Sequence, residues 1–179
     1  MRLGLTIAAM GLLFCTAPAT ASETEFDLCQ GASENAIIRI ANCDLAIRIG
    51  GLTNEQMIVA LFNRGQALLA TEKPEPALAD FEAILKLTPD DKEALFTRAI
   101  AHRQLKHYDS AIADFDRLAE LKYEPAAKLY LQRSMAHHLA GNKDKALADL
   151  KQAKTLDPDD PVIIDRLWKT ERLYSQQAR

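Results

Sequence analysis

Three aspartates stand at matching places along the chain. Asp80, Asp114 and Asp149 each sit in the middle of a near-copied phrase: ALADFEAIL from Ala77, AIADFDRLA from Ala111 and ALADLKQAK from Ala146. The phrases start 34 and then 35 residues apart, and 16 residues before each aspartate stands an arginine: Arg64, Arg98 or Arg133. Carboxylates can move protons or hold cations, but both uses need several groups converging on one point. One carboxylate per repeat, each with its own arginine, is spread along the molecule instead. The pattern fits a charge-assisted hydrogen bond between two helices, inside a repeat or to the arginine of the next one. The planar guanidinium fork suits that role. Paired this way, the six residues fix helix register and no catalytic residue is expected among them.

The other chemistry-bearing residues do not converge either. His138 adjoins His137, and on a helix the two side chains diverge by about 100°, too far to share a metal easily. His107 lies in a turn before Tyr108, and His102 stands alone in its helix. Ser134 with His137 three residues on reads as a small residue at a helix crossing. No zinc-like spacing, glycine-rich phosphate loop, nucleophile elbow or His-Glu metalloprotease helix occurs. The sequence therefore predicts no catalytic residue, no metal site and no cofactor.

The elements that must carry the arginine–aspartate pairs are helices. In the first phrase Ala77, Leu78, Phe81, Ile84 and Leu85 form one helical stripe, and the stripe recurs in the other two. Pro74 and Pro76 suit an opening turn, while Pro89 and Pro158 stop the helices before them. Upstream of each phrase runs a second helical stretch: NRGQALLA from Asn63, TRAIAHRQL from Thr97 and QRSMAHHLAG from Gln132. Neither helix of such a pair buries its apolar face alone. Stacked pairs give a right-handed α-solenoid with a concave face.

With small residues at Gly65, Ala99 and Ser134 and at Ala77, Ala111 and Ala146, the unit resembles the tetratricopeptide repeat. Phe81, Phe115 and Leu150, and the closing Pro89 and Pro158, fit that pattern as well. Tyr123 replaces the closing proline of the second unit, and one extra residue precedes the third. The resemblance implies an all-α solenoid with three repeats at 58–91, 92–126 and 127–160. Residues 22–57 form a leading segment, in which 34–49 echo a second helix with Cys43 in the Phe115 place. Residues 161–179 supply a capping helix with Ile163, Leu167 and Trp168 facing inward. The family usually carries an apolar residue where the three arginines stand, and a core aromatic where His102 and His137 stand, which implies packing roles for both histidines.

The resemblance further implies a non-catalytic interaction module whose concave face is lined by Phe62, Gln66 and Leu69, then Phe96, Ile100 and Arg103, then Leu131, Met135 and His138. Such a face would take a peptide or helix of another protein. Relatives that hold chaperone tails carry a cluster of cations and asparagines. Here Phe62, Gln66, Thr97 and Gln132 occupy four of those places and only Lys128 matches, so that ligand is not implied. The alternative use of such a solenoid is structural, as a subunit docked or self-associated through its edges.

The amino terminus adds a location. Arg2, the apolar run Leu3 to Phe14 and the small-x-small Ala19-Thr20-Ala21 read as a signal segment, 1–21, cleaved after Ala21. Lipidation at Cys15 is the alternative, disfavoured by Phe14 beside it. No other segment is long and apolar enough to span a bilayer. Loss of Arg2 moves the net charge from −3 to −4, and no basic cluster is present, which argues against a nucleic-acid partner. In an exported chain Cys29 and Cys43 are expected to form a disulfide. The reading is an exported bacterial protein, periplasmic or secreted, whose partner is another protein of the cell envelope.

Overall fold

Capping residues and prolines set the helix ends. The computed structural model describes residues 21–31 and 35–177; the proposed signal segment up to residue 20, with Cys15, lies outside the described residues. The helices are α1 (Ala21–Gln30), α2 (Ala36–Ile49), α3 (Asn54–Ala70), α4 (Pro74–Leu87), α5 (Lys92–Gln104), α6 (Tyr108–Glu120), α7 (Ala126–Leu139), α8 (Lys143–Leu156) and α9 (Pro161–Gln177). A capping box between Thr53 and Gln56 opens α3 ahead of residue 58, satisfying two orphan donors at once. Pro74 sits in the first turn of α4, where its missing N–H costs least. Asp91 caps α5 at Ala94 N, and Asp160 accepts from Val162 N and Ile163 N at the start of α9.

The turn inside each repeat is the same device. Glu72, Lys106 and Gly141 each follow a first helix with positive φ, 58°, 62° and 82°. Glycine suits that left-handed conformation without steric cost, whereas the other two residues carry a small penalty. The second repeat ends differently. Tyr123 N donates to Leu118 O at 3.0 Å, and its buried ring stacks on Phe96 with centroids 5.2 Å apart. A packed ring thus does what the closing proline does elsewhere.

The pairs α3–α4, α5–α6 and α7–α8 stack so that each second helix meets the next first helix, and the first helices lie beside one another. One core runs through the repeats, with Phe81, Ile84, Phe115, Leu118 and Leu129 fully or almost fully buried. A smaller core joins α1, α2 and α3 through Phe26, Cys29, Cys43, Ala46 and Ala60. Here Cys29 and Cys43 are bonded, with Cα atoms 4.6 Å apart. A third joins Leu131, Leu150 and Ala153 to Ile163 of α9, with Leu167 packed against it. Trp168 is a correction: it is 57% exposed, its ring lying under Arg172. Leu167 takes the inward direction, and a neighbour about 100° round the helix must point away.

Gly65 shows how closely the first pair is packed. A Cβ built there would lie 2.7 Å from Phe81 Cζ and 2.9 Å from Cε1. Phe81 is fully buried, so the ring has nowhere to retreat. Gly65→Ala should therefore cost about 1–2 kcal/mol through overpacking, although alanine is the better helix former. Denaturant unfolding checks this through a lowered midpoint at unchanged slope.

Candidate functional site

Each arginine grips its aspartate with two donors of one edge. Arg64 Nε and Nη2 donate to Asp80 at 3.0 and 2.6 Å. Arg98 reaches Asp114 at 2.9 and 2.6 Å, and Arg133 reaches Asp149 at 2.8 and 2.7 Å. The three aspartates are buried, and every pair lies inside one repeat. Two of the arginines also reach backward. Arg64 Nη1 donates to Asp44 of α2 at 3.0 Å, and Arg133 Nη1 to Asp116 of α6 at 2.8 Å. In the middle repeat Glu82 stands in the corresponding place of α4 and acts on Arg98 only through its charge.

The electrostatics follow from that geometry. The hydrogen bonds that Asp80 accepts hold the Arg64 guanidinium above its ordinary range despite partial burial, with Asp44 adding to the effect. Asp149 and then Asp116 do the same for Arg133. These groups are locked into fixed pairs, so none of the three carboxylates is placed to exchange a proton with a substrate. His137 is buried with its Nε2 4.0 Å from Asp149 Oδ2, and burial holds its pKa below the ordinary histidine value. Burial lowers that of His102 too. Both rings act as neutral packing groups near pH 7. Among the described residues no group of three or more His, Cys, Asp or Glu is arranged to hold a metal ion, and no helix is long and apolar enough to cross a membrane.

The residues expected on the concave face divide into three groups. Phe96 and Leu131 are corrections, because both are core. Phe96 is 5% exposed, edge-on to Phe115 at 5.8 Å and stacked under Tyr123. Leu131 belongs to the core shared with α9. The reason for Phe96 is the second repeat's unusual ending, since the Tyr123 ring closes over it. Lys128 is occupied there as well, its Nζ 5.0 Å above the Phe96 ring. Phe62 is half-buried against Phe81, with ring centroids 6.1 Å apart.

Gln66 is exposed, and Leu69, Ile100 and Arg103 are half-buried on α3 and α5. They form the open stretch of the face. At the third repeat α9 intrudes. Tyr174 stacks on His138 with centroids 5.7 Å apart and meets its Nδ1 at 2.6 Å. Between α7, α8 and α9 a cleft of about 420 Å³ remains, lined by Met135, Leu139, Val162, Thr170 and Leu173 among others. Sequence reasoning missed Val162, Leu173 and Tyr174 as partners of Met135 and His138. The available signal was a second apolar edge on α9, separate from the one carrying Ile163 and Leu167.

Known proteins share this fold. The sequence profile described as Tetratricopeptide repeat matches residues 62–122 and 107–161. Sperm-associated antigen 1 of Homo sapiens is 27% identical over 108 residues, which is 60% of this chain and 12% of that protein. A tetratricopeptide repeat protein from Parabacteroides merdae superposes with a TM-score of 0.74 at 22% identity, covering 91% of this chain and 63% of that one. The first such domain of Spaghetti (RPAP3), solved bound to an HSP90 peptide, superposes with a TM-score of 0.62 at 20% identity, covering 70% and 99% of the two chains.

Proposed function

The chain belongs to the tetratricopeptide-repeat family, and from that premise we propose that it is a non-catalytic adaptor of the cell envelope. In this reading it holds an extended peptide or a helix of another envelope protein on the open stretch of its concave face. The observation that carries the reading is the line of half-buried Leu69 and Ile100 on neighbouring first helices, flanked by Gln66 and Arg103. Apolar side chains partly withdrawn from water, with polar groups beside them, are what a bound peptide's alternating side chains and backbone require. The similar domain bound to an HSP90 peptide supports peptide binding as a use of this fold. The envelope location is supported by the signal-like opening letters and by the Cys29–Cys43 bond, since disulfides persist in oxidising compartments.

The test replaces Leu69 and Ile100 with glutamine, neutral so as not to offer Arg103 a new acid. Crosslinking in the native envelope fraction should then recover the partner at about thirtyfold lower yield, the factor that loss of about 2 kcal/mol from a central anchor produces. Helix content and Tm should stay close to those of the unaltered chain. Undiminished recovery would refute the groove reading.

A structural subunit remains the second reading, because apolar side chains stand exposed at both ends. Ile37 is 70% and Ile38 50% exposed on α2, and Val162 is 56% and Trp168 57% exposed on α9. If the edges are what the protein uses, Ile37→Asp and Trp168→Asp lower the sedimenting mass while the glutamine variants do not.

A further inference from the structure

The capping helix α9 begins as the first helix of a repeat does. Pro158-Asp159-Asp160 repeats Pro89-Asp90-Asp91, and Asp91 and Asp160 each cap the helix that follows. In that register Ile164 and Trp168 stand where α5 has Leu95 and Ala99, and where α3 has Leu61 and Gly65. Those four residues are buried, and Gly65 lies against Phe81 of its own second helix. The face of α9 that carries Ile164 and Trp168 is thus the one a second helix would cover. Among the described residues no helix follows α9, and Ile164 is 42% exposed beside the still more open Trp168. A second helix of the repeat kind would not seat there. The place that holds Gly65, Ala99 or Ser134 in the repeats holds an indole in α9, so whatever covers this face must accommodate a large ring.

The charges around the ring narrow the choice. Asp165 lies three residues before Trp168 and Arg172 four after, so all three share one exposed stripe of the helix. The Arg172 guanidinium carbon lies 5.3 Å from the indole ring centre, and among the described residues Arg172 has no carboxylate within ion-pair distance. Lys169 reaches Asp165 at 2.8 Å through Oδ2. An acid on one side of the ring and a base on the other make the stripe its own complement. A second α9, turned end over end about a two-fold axis near Trp168, sets each Arg172 opposite the other copy's Asp165 and brings the two indoles together. Two-fold interfaces require self-complementarity of this kind.

We propose that α9 is a dimerisation surface whose partner is the α9 of a second copy, packed antiparallel through Ile164 and Trp168 and held in register by Arg172–Asp165 pairs. This rests on the second reading given above, association through the edges, and narrows it to one edge and one partner. It does not use the concave stretch on α3 and α5. Large aromatic side chains dominate the energy of such contacts, and flanking charges set which arrangement is accepted. A single helical stripe buries less than the roughly 1,200 Å² of a stable specific interface. The dimer is therefore weak, half-dissociated at about 10–100 μM.

Trp168 is the sole tryptophan of the chain, which makes its fluorescence a direct report on this face. Sedimentation velocity of the purified chain from about 1 to 500 μM should show a monomer–dimer equilibrium. Emission should shift to the blue over the same concentrations as the indole leaves water. Ile164→Ala, which keeps the reporter, should raise the dissociation constant about tenfold, and Trp168→Ala about a hundredfold, each loss being counted twice in a two-fold pair. Helix content and Tm should hold in both, since the replaced side chains are exposed. Arg172→Glu and Asp165→Arg should each weaken association about tenfold by setting like charges opposite each other. Their equimolar mixture should restore it, because every changed residue then faces an opposite charge. A chain monomeric up to about 500 μM, a rise in mass without the blue shift, or a mixture no better than its separate chains would each overturn the proposal. If Ile37→Asp lowers the sedimenting mass and Trp168→Ala does not, edge association stands and the α9 pairing falls. A chain that stays monomeric throughout refutes the pairing and self-association through any edge.

Discussion

Asp114→Ala is expected to cost about 2–3 kcal/mol of stability, just below the roughly 3–5 kcal/mol for breaking a fully buried pair, because Arg98 keeps some contact with water. The Arg98 side chain is 24% exposed and that of Asp114 9%. Removing the acid strands a largely desolvated guanidinium with no second carboxylate in contact. The same change at Asp80 should cost clearly less, about 1–2 kcal/mol, because Arg64 still holds Asp44 of the preceding pair at 3.0 Å. Urea midpoints at constant slope give both values. The double replacement Arg98→Met with Asp114→Leu should recover most of the loss, since apolar residues of similar volume often match a buried ion pair. Equal losses for Asp114→Ala and Asp80→Ala would sink the claim that the backward contact supports Arg64.

That comparison also marks how far the sequence could be read. The pairing of each arginine with the aspartate 16 residues later was legible because the repeat presents the same spacing three times. Which of two neighbouring repeats supplied the acid was not. A period fixes equivalent positions but not the rotation of one pair on the next. The backward contacts to Asp44 and Asp116 were hidden further because the middle repeat offers Glu82, which does not touch Arg98. The all-α solenoid itself was plain in the stripes and helix stops.

The candidate face was legible in part. Leu69 and Ile100 lie half-buried on the first helices where the resemblance to the repeat family places them, because little packs over that side of α3 and α5. Phe96 does not, and the cause is remote: Tyr123, standing where a proline would close the repeat, brings a ring 5.2 Å from it. His138 meets Tyr174, a residue 36 positions later. Trp168 and Leu167 are adjacent letters of equal apolar character, and only docking decides which is buried. Each miss is a long-range contact that local periodicity does not encode.

Reducing the Cys29–Cys43 bond should free the leading helix and leave the repeats intact. The bond closes a separation of 14 residues, for which chain entropy gives about 3 kcal/mol. Both sulfurs lie fully buried beside Phe26, Ala46 and Ala60. Polar ties also reach the leading helix from α2 and α3: Asn42 Nδ2 donates to Leu28 O and Asn63 Nδ2 to Cys29 O, each at a long 3.4 Å. A helix as short as α1 is marginal without tertiary support. In a solenoid each pair contacts its neighbours alone, so opening at one end need not travel. Hydrogen exchange of the Cys29→Ser, Cys43→Ser chain should therefore accelerate by about a hundredfold at α1, the factor equivalent to about 3 kcal/mol. The amides of α4 to α8 should keep their rates, because Asp44 of α2 still grips Arg64 and screens the first repeat. Exchange that rises equally in every helix would mean that the leading pair nucleates the whole array. Partner binding under reducing conditions then separates two roles for that pair. The open stretch on α3 and α5 stays folded, so binding that vanishes on reduction would place α1 or α2 in direct contact with the partner.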